Sequence, residues 1–443
     1  MRDDDTAYPS SFRAWTSVSI LMLAYVLSFI DRQILNLLVG PIRRDLVISD
    51  TQMSLLMGLS FALFYTVCGI PLGRLADTRS RRGVIAVGIL FWSAMTAACG
   101  MARLYWQFLL CRIGVGVGEA ALSPAAYSLI ADSFAPERRA TAISVYSMGV
   151  YLGSGLAFLL GGLVITFASA QGDVTLPVLG EVRPWQLIFL LLGAFGVIFT
   201  VLMLAVHEPV RRGVGAGVAV PLAEVGQYLR ANRSTVLYHN LGFAGLAFAG
   251  YGGAAWIPTF FIRTYGWDAG QVGMVYGSIV GVFGCLGIVT GGRLADWMAK
   301  RGRSDANMRV GLYAAIAAVP CVLSFPLMGS GLWAAILTAP TVFFLSVPFG
   351  GAPAAIQEIM PSAMRGQASA IYLFVITLLG LGIGPTAVAL VTDYVFADDM
   401  ALRYSLLIVN SLAVLSSVIL LGKGLQPYRN SLVHLQEWSL RRA

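Results

Sequence analysis

Charge is what this chain has least of. Asp, Glu, Lys and Arg make up 12% of its 443 residues, against about 25% in a soluble domain. Hydrophobic residues make up 57%, and the mean hydropathy is +0.76. So few charges cannot cover a soluble particle of this size. An ordinary cytosolic enzyme, a disordered protein and a nucleic-acid-binding module are therefore excluded. Histidine is scarce as well: His207, His239 and His434 are the only three, and none stands in a constellation that suits a membrane enzyme. The five cysteines (Cys68, Cys99, Cys111, Cys285 and Cys321) lie inside apolar runs without metal-ligand spacing. They read as small buried hydrophobes. A G-x4-G-K-[ST] phosphate loop is missing, which argues against ATP-driven pumping by this chain alone. No catalytic residue, metal or cofactor is expected.

What is present is long apolar runs. A bilayer core about 30 Å thick needs roughly 20 apolar residues in a helix. Twelve such segments are expected, at 15–40, 51–73, 84–102, 106–131, 140–168, 185–206, 235–262, 271–292, 309–329, 332–357, 367–392 and 402–422. The start of the chain, with Asp3, Asp4 and Asp5, does not resemble a cleavable signal, so the first run is expected to stay as a span. Basic residues set the orientation. With the N-terminus in the cytoplasm, 22 of the 30 Lys and Arg fall on that side and six on the other, leaving Arg32 and Arg112 inside spans. The formal charge of +8 is thus a topology signal and not a nucleic-acid signal. Both termini are expected in the cytoplasm, and the short loops point to a bacterial inner membrane.

The chain also repeats itself. Gly73-Arg-Leu-Ala-Asp77 returns as Gly292-Arg-Leu-Ala-Asp296, 219 residues later. Pro124-Ala-Ala126 returns as Pro353-Ala-Ala355, and Arg139 as Arg365, at nearly the same offset. The expected organisation is a six-helix half at 1–206, a cytoplasmic linker at 207–234 and a second half at 235–443. Parallel halves of this kind occur in carriers that rock about a central site.

Gly73 to Arg82 (GRLADTRSRR), with its degenerate copy at Gly292 to Arg303, resembles the signature loop of the major facilitator superfamily. Three stretches resemble the Spinster family within it: Ser28 to Arg32 (SFIDR), Cys111 to Ala120 (CRIGVGVGEA) and Gly149 to Gly155 (GVYLGSG). The resemblance implies an all-α membrane protein of twelve spans in two pseudo-symmetric halves. It also implies alternating access, and a link to lysolipids and sphingosine 1-phosphate. In that superfamily the residue matching Asp77 closes the cytoplasmic side against span eleven and a nearby Arg. Gly73, Asp77, Arg81 and Arg139 are the gate residues expected on that basis, with Asp296 and Arg365 as the pseudo-symmetric set. The position after Gly153 is Ser154, where proton/drug antiporters of the superfamily carry proline, so the direction of coupling stays open.

Asp31, Arg32, Arg112 and Glu119 lie deep inside spans, where a charge costs about 2.5–3.5 kcal/mol on insertion scales. Helical rise puts Asp31 roughly 13 Å and Arg112 roughly 9 Å below the same face, which allows them to pair. Glu119, two turns beyond Arg112, falls near the midplane. Asp31 and Arg32 are adjacent and cannot share a helix face. The expectation is that Asp31 and Glu119 respond to protons, while Arg32 and Arg112 hold an anionic headgroup through paired donors. Gly114, Gly116 and Gly118 leave room beside Glu119 for a neighbouring backbone or a ligand. Spans seven to twelve carry no charged residue until their ends and are rich in aromatics. Tyr251 and Trp256, on a span loosened by Gly250 to Gly253 and Pro258, are expected to line the substrate path, with Ser123 counted beside them.

The reading is therefore a monomeric secondary carrier of amphipathic lipids, proton-linked, and not an enzyme. Its substrate partner is an amphipathic lipid or an organic anion. The alternatives are a proton-coupled small organic-anion symporter and an ion-independent lipid scramblase.

Overall fold

The computed structural model describes residues 8–177, 180–211, 222–361 and 364–440. Among the described residues, twelve helices are long and apolar enough to cross a membrane. Spans 1 to 6 are Ser11–Leu37, Asp50–Ala76, Arg81–Cys99, Tyr105–Ser133, Thr141–Phe167 and Pro184–Ala205. Spans 7 to 12 are Arg233–Tyr265, Ala269–Lys300, Ala306–Leu327, Gly331–Glu358, Gln367–Phe396 and Asp399–Trp438. A short antiparallel hairpin, β1 (Val174–Leu176) and β2 (Gly180–Val182), joins spans 5 and 6, with Val174 opposite Val182.

Local chemistry sets the starts and breaks of these helices. Span 2 opens with a capping box: Ser49 accepts from the Gln52 N–H at 3.2 Å, and the Gln52 side chain accepts from the Ser49 N–H at 3.0 Å. Ser80 caps span 3 by accepting from the Gly83 N–H at 3.1 Å. Span 7 stops at Gly266, whose φ of 69° suits a residue without Cβ. Span 4 is interrupted directly after Glu119, with a new helix starting at Leu122. Span 11 relaxes into a π-helix over Ile376–Ile383, just before Pro385.

The chain packs as two compact units, Met1–Gly215 with Trp267–Gly281, and Ala216–Gly266 with Val282–Ala443. The first half of span 8 groups with the first unit, although the repeat assigns it to the second half. A Cβ on Gly277 would lie 2.9 Å from the Leu159 nitrogen of span 5, and Phe158 meets Tyr276 edge-on with ring centroids 4.9 Å apart. Within the first unit, glycine also brings span 4 onto span 3: a Cβ on Gly118 would sit 2.8 Å from the Trp92 backbone nitrogen.

Span 12 runs further than the apolar run at 402–422 indicated. Its last turns pack on the linker helix Leu222–Ala231. Tyr228 stacks on His434 at 5.3 Å, meets Trp438 edge-on at 5.9 Å and donates to the Ile359 carbonyl at 2.8 Å. Hydropathy alone cannot register a helix continued by contacts of this kind.

Candidate functional site

The four embedded charges of the first unit form two ion pairs. Span 1 presents Ser28 and Arg32 on one face, four residues apart, and Asp31 on another. Arg32 donates from Nε to Glu119 Oε2 at 2.6 Å, and its Nη2 lies 2.6 Å from the same oxygen. Ser28 donates to that oxygen at 2.5 Å. On the other face, Arg112 donates from Nη1 to Asp31 Oδ1 at 3.2 Å, and Thr96 of span 3 donates to Asp31 Oδ2. Arg112 also reaches the Leu56 carbonyl at 3.4 Å through Nε. The depth argument anticipates the Arg112–Asp31 pair. It did not identify the Arg32–Glu119 pair, although the four-residue spacing of Ser28 and Arg32 carried that signal.

The two pairs differ in access. Arg112 and Asp31 are sealed, with side chains 0% and 3% exposed. Arg32 keeps 13% of its side chain exposed, while Glu119 is fully covered. The Arg32 guanidinium lies over three aromatic rings: Phe61 at 4.4 Å, Phe29 at 4.8 Å and Tyr65 at 5.0 Å. Such faces attract a cation and keep water away from it. Within these two pairs, Glu119 Oε1 and Arg112 Nη2 are buried without a hydrogen-bond partner. Glu119 also ends its helix segment, where the aligned peptide dipoles disfavour a carboxylate. Its charge is therefore held in place by Arg32 and Ser28.

The glycines of span 4 meet protein. A Cβ on Gly114 would strike Met95, one on Gly116 the Phe61 carbonyl, and one on Gly118 the Trp92 backbone. Of the two uses expected for these positions, the neighbouring backbone is the one observed. Ser123 is half-buried, and its hydroxyl lies 3.2 Å from the Tyr146 hydroxyl. Tyr146 stacks on Tyr25 at 4.7 Å.

In the second unit the substrate-path expectations divide. Tyr251 is half-buried, with Phe349 edge-on at 6.5 Å. Trp256 is fully buried and donates its indole N–H to the Pro385 carbonyl at 2.8 Å, so it ties span 7 to span 11 in this structure. Phe243, Phe260, Phe261 and Tyr372 are packed inside as well. The buried polar groups here are neutral side chains such as Asn240, Thr338, Thr392 and Asn410, with His239 set between Asn240 and the Ala352 carbonyl at 3.0 and 2.8 Å.

At the end of the first unit that bears the signature loop, Gly73 lies near Pro124, where a Cβ would be 3.7 Å away. The side chains of Asp77 and Arg139 lie outside the described residues. Arg81 is buried and central. It pairs with Asp132, donates to the Ser128 hydroxyl at 3.0 Å and to the Pro209 carbonyl at 2.8 Å, and its N–H donates to Glu208 at 2.7 Å. Burial alone would raise the Glu208 carboxyl, but hydrogen bonds from Ser80 and Arg81 and the Arg81 charge outweigh it and hold the group below the usual carboxylate range. Asp132 and Glu208 escaped the sequence reading because neither lies in the repeated motif.

The pseudo-symmetric gate residues are not paired with each other in this structure. Asp296 and Arg365 are both exposed, and among the described residues no ion pair joins them. Arg365 instead donates to the Met360 carbonyl at 3.4 Å. The paired carboxylate of this region is Asp305, which lies past the turn at Gly302 (φ 81°) and meets Arg309 and Arg429, each at 2.7 Å. Burial opposes ionisation of Asp305, yet hydrogen bonds from the two Arg side chains win and lower it.

The sequence model of the Major Facilitator Superfamily matches residues 21–385. The chain belongs to this superfamily. Its helices form that fold, twelve spans in two pseudo-symmetric six-helix halves, and it is a multi-pass membrane transporter and not an enzyme. An MFS-type efflux pump of Mycolicibacterium smegmatis is 32% identical over 392 residues, covering 88% of this chain and 86% of that protein. A probable L-galactonate transporter of Escherichia coli is 26% identical over 299 residues, covering 66% of this chain and 64% of that protein. Among solved structures, a bacterial homolog of the human lysosomal transporter Spinster, inward-facing and occupied, superposes with a TM-score of 0.76. It is 25% identical, over 96% of this chain and 97% of that one. Within the superfamily the chain resembles the Spinster family.

Proposed function

We propose that this transporter carries amphipathic anions of the lysophospholipid or sphingolipid type by alternating access, and that proton and anion are linked through the Arg32–Glu119 pair. The observation that carries the reading is the partial exposure of Arg32 beneath an aromatic collar while Glu119 is wholly covered. An incoming phosphate competes with Glu119 for Arg32. Glu119 then loses its counter-charge in an apolar surrounding and is stable as the neutral acid, its free Oε1 being the atom that takes the proton. Anion and proton therefore occupy the same carrier state. Phe29, Phe61 and Tyr65 offer apolar surface for the part of the substrate next to its headgroup.

In this scheme Arg112 and Asp31 lock spans 1 and 4 together, and Arg32 replaces Arg112 as the leading headgroup ligand. Ser123 and Tyr251 remain the polar contacts proposed for the rest of the substrate. Arg81 and Asp77 act at the cytoplasmic gate, with Arg139 as the proposed partner of Asp77. The protein works as a monomer in a bacterial inner membrane with both termini in the cytoplasm, the orientation favoured by its basic residues. A second reading, a proton-coupled carrier of small organic anions, is supported by the L-galactonate relative and would use the same guanidinium.

The test is flux in proteoliposomes under an imposed pH gradient, with labelled lysophospholipid and labelled hexuronate in parallel. Gradient-dependent movement of the lysophospholipid, lost in Arg32→Gln, is expected. Movement of hexuronate alone would replace the lipid reading by the second one. Lipid movement that ignores the gradient would point to a scramblase.

A further inference from the structure

A second charged cleft lies in the first unit, away from the embedded ion pairs. It measures about 290 Å³ and is lined by Phe12, Arg13 and Thr16 of span 1, Arg82 of span 3, and Leu204 to His207 after span 6. Its composition is one-sided. Two guanidinium groups and an imidazole line it, and none of its lining residues is acidic. The two clefts beside the β hairpin are different, since Asp45 and Asp173 share them with Arg183.

The neighbouring acid is already engaged. Glu208 is held by Ser80 and Arg81 and does not face Arg82 in any ion pair of the described residues. Arg81 and Arg82 are adjacent in sequence and opposite in use. Arg81 is buried, and both of its terminal nitrogens are engaged, Nη1 by Asp132 and Ser128 and Nη2 by the Pro209 carbonyl. Arg82 makes only long contacts through Nη1, to the Leu204 carbonyl at 3.3 Å and the Val206 carbonyl at 3.5 Å. Arg82 lines the cleft, and both of these bonds use Nη1 alone. Arg13 is exposed in the first turn of span 1 with no acidic residue in that turn.

The rim is apolar. Phe12 is 81% exposed and Leu204 67%. Leu191, Phe195, Ile198 and Leu202 recur at helical spacing along span 6, all exposed, and lead to the cleft. An acyl chain fits along that stripe while a phosphate enters between the two guanidinium groups. Basic clefts between spans at the membrane surface hold anionic headgroups by this combination.

We propose that this cleft is a binding site for the phosphate of an anionic phospholipid of the surrounding leaflet, with Arg13 and Arg82 as its ligands. The site clamps span 1 to the segment that follows span 6. It does not depend on the transport reading, because neither arginine belongs to the Arg32–Glu119 pair.

Native mass spectrometry of the full chain, released from nanodiscs holding equal phosphatidylglycerol and phosphatidylcholine, tests this. The wild type is expected to retain phosphatidylglycerol preferentially. Arg13→Gln with Arg82→Gln is expected to lower that preference by roughly 30-fold, the factor that follows from about 1 kcal/mol for each cation near an anionic surface. Arg79→Gln, which alters an exposed cation outside the cleft, should leave it unchanged. If the double variant loses its folded elution profile, Arg13→Gln alone serves, with an expected loss of roughly fivefold. Retention of phosphatidylglycerol in millimolar inorganic phosphate supports a lipid site, and its displacement assigns the cleft to free phosphate and overturns the lipid. Equal retention of both lipids by the wild type, or an unchanged preference in the variants, overturns the proposal.

Discussion

Deep inside its spans, away from their ends, the first unit holds two carboxylates and two guanidinium groups, each acid matched to one base. Among the described residues, the second unit carries its charges only toward the ends of its spans. Within its spans the buried polar side chains are neutral, some of them closed on backbone carbonyls by bonds such as Trp256 to Pro385 and His239 to Ala352, and its buried acid, Asp305, sits just before span 9 between Arg309 and Arg429. A neutral hydrogen bond is retained when a helix shifts only if its partner moves with it, and it carries no net charge to be exchanged. An ion pair in an apolar surrounding can be opened by a competing ion or by a proton. The asymmetry is the reason the proposed recognition and coupling are placed in the first unit, beside an aromatic-rich second unit whose spans are neutral in their interior.

The largest effect that would sharpen this contrast is on stability. Asp31→Asn leaves Arg112 buried without a counter-charge and should cost about 3–5 kcal/mol. Thermal unfolding in detergent would show it, and adding Arg112→Gln to the same chain should recover much of the loss. A smaller effect is expected in the second unit. Trp256→Phe removes a neutral bond and leaves the Pro385 carbonyl unmet, at about 1–3 kcal/mol, with no change in the pH dependence of transport. If Trp256→Phe shifted that pH dependence as strongly as changes at Glu119, the division between units would be broken.

The smallest effect concerns Glu208, whose carboxyl is held below its ordinary range. A group lowered in the folded state adds stability above its unfolded value and loses it as pH falls through the folded one. The melting temperature of Glu208→Gln should therefore lie below wild type near neutral pH, by the equivalent of about 1 kcal/mol or less. The gap should close as the pH is taken below the carboxylate range.

Much of this was legible in the sequence. Long apolar runs gave the twelve spans, because a span is a one-dimensional property of composition and length. The repeated GRLAD motif gave the two halves. The depth of Asp31 and Arg112 gave their pair, because both positions could be counted from the same membrane face. The Arg32–Glu119 pair required knowing which face of span 1 turns toward span 4, and that is set by packing. The burial of Trp256 was not legible for the same reason: its neighbours Gly252 and Gly253 suggest openness, whereas Gly252 lies against the backbone of Gly384 and closes the gap. Asp296 repeats a motif, but Asp305 carries the ion pairs, since the chain turns at Gly302 before meeting Arg429.

The central claim is that an anion at Arg32 and a proton at Glu119 belong to one state. It is tested most directly by counting protons as substrate binds to purified protein in a weakly buffered solution with a pH-indicator dye. Wild type should take up about one proton for each anion bound under conditions where Glu119 begins ionised, and Glu119→Gln should bind the anion with no uptake. Equal proton uptake by wild type and Glu119→Gln would contradict the claim and move the coupling site away from this pair.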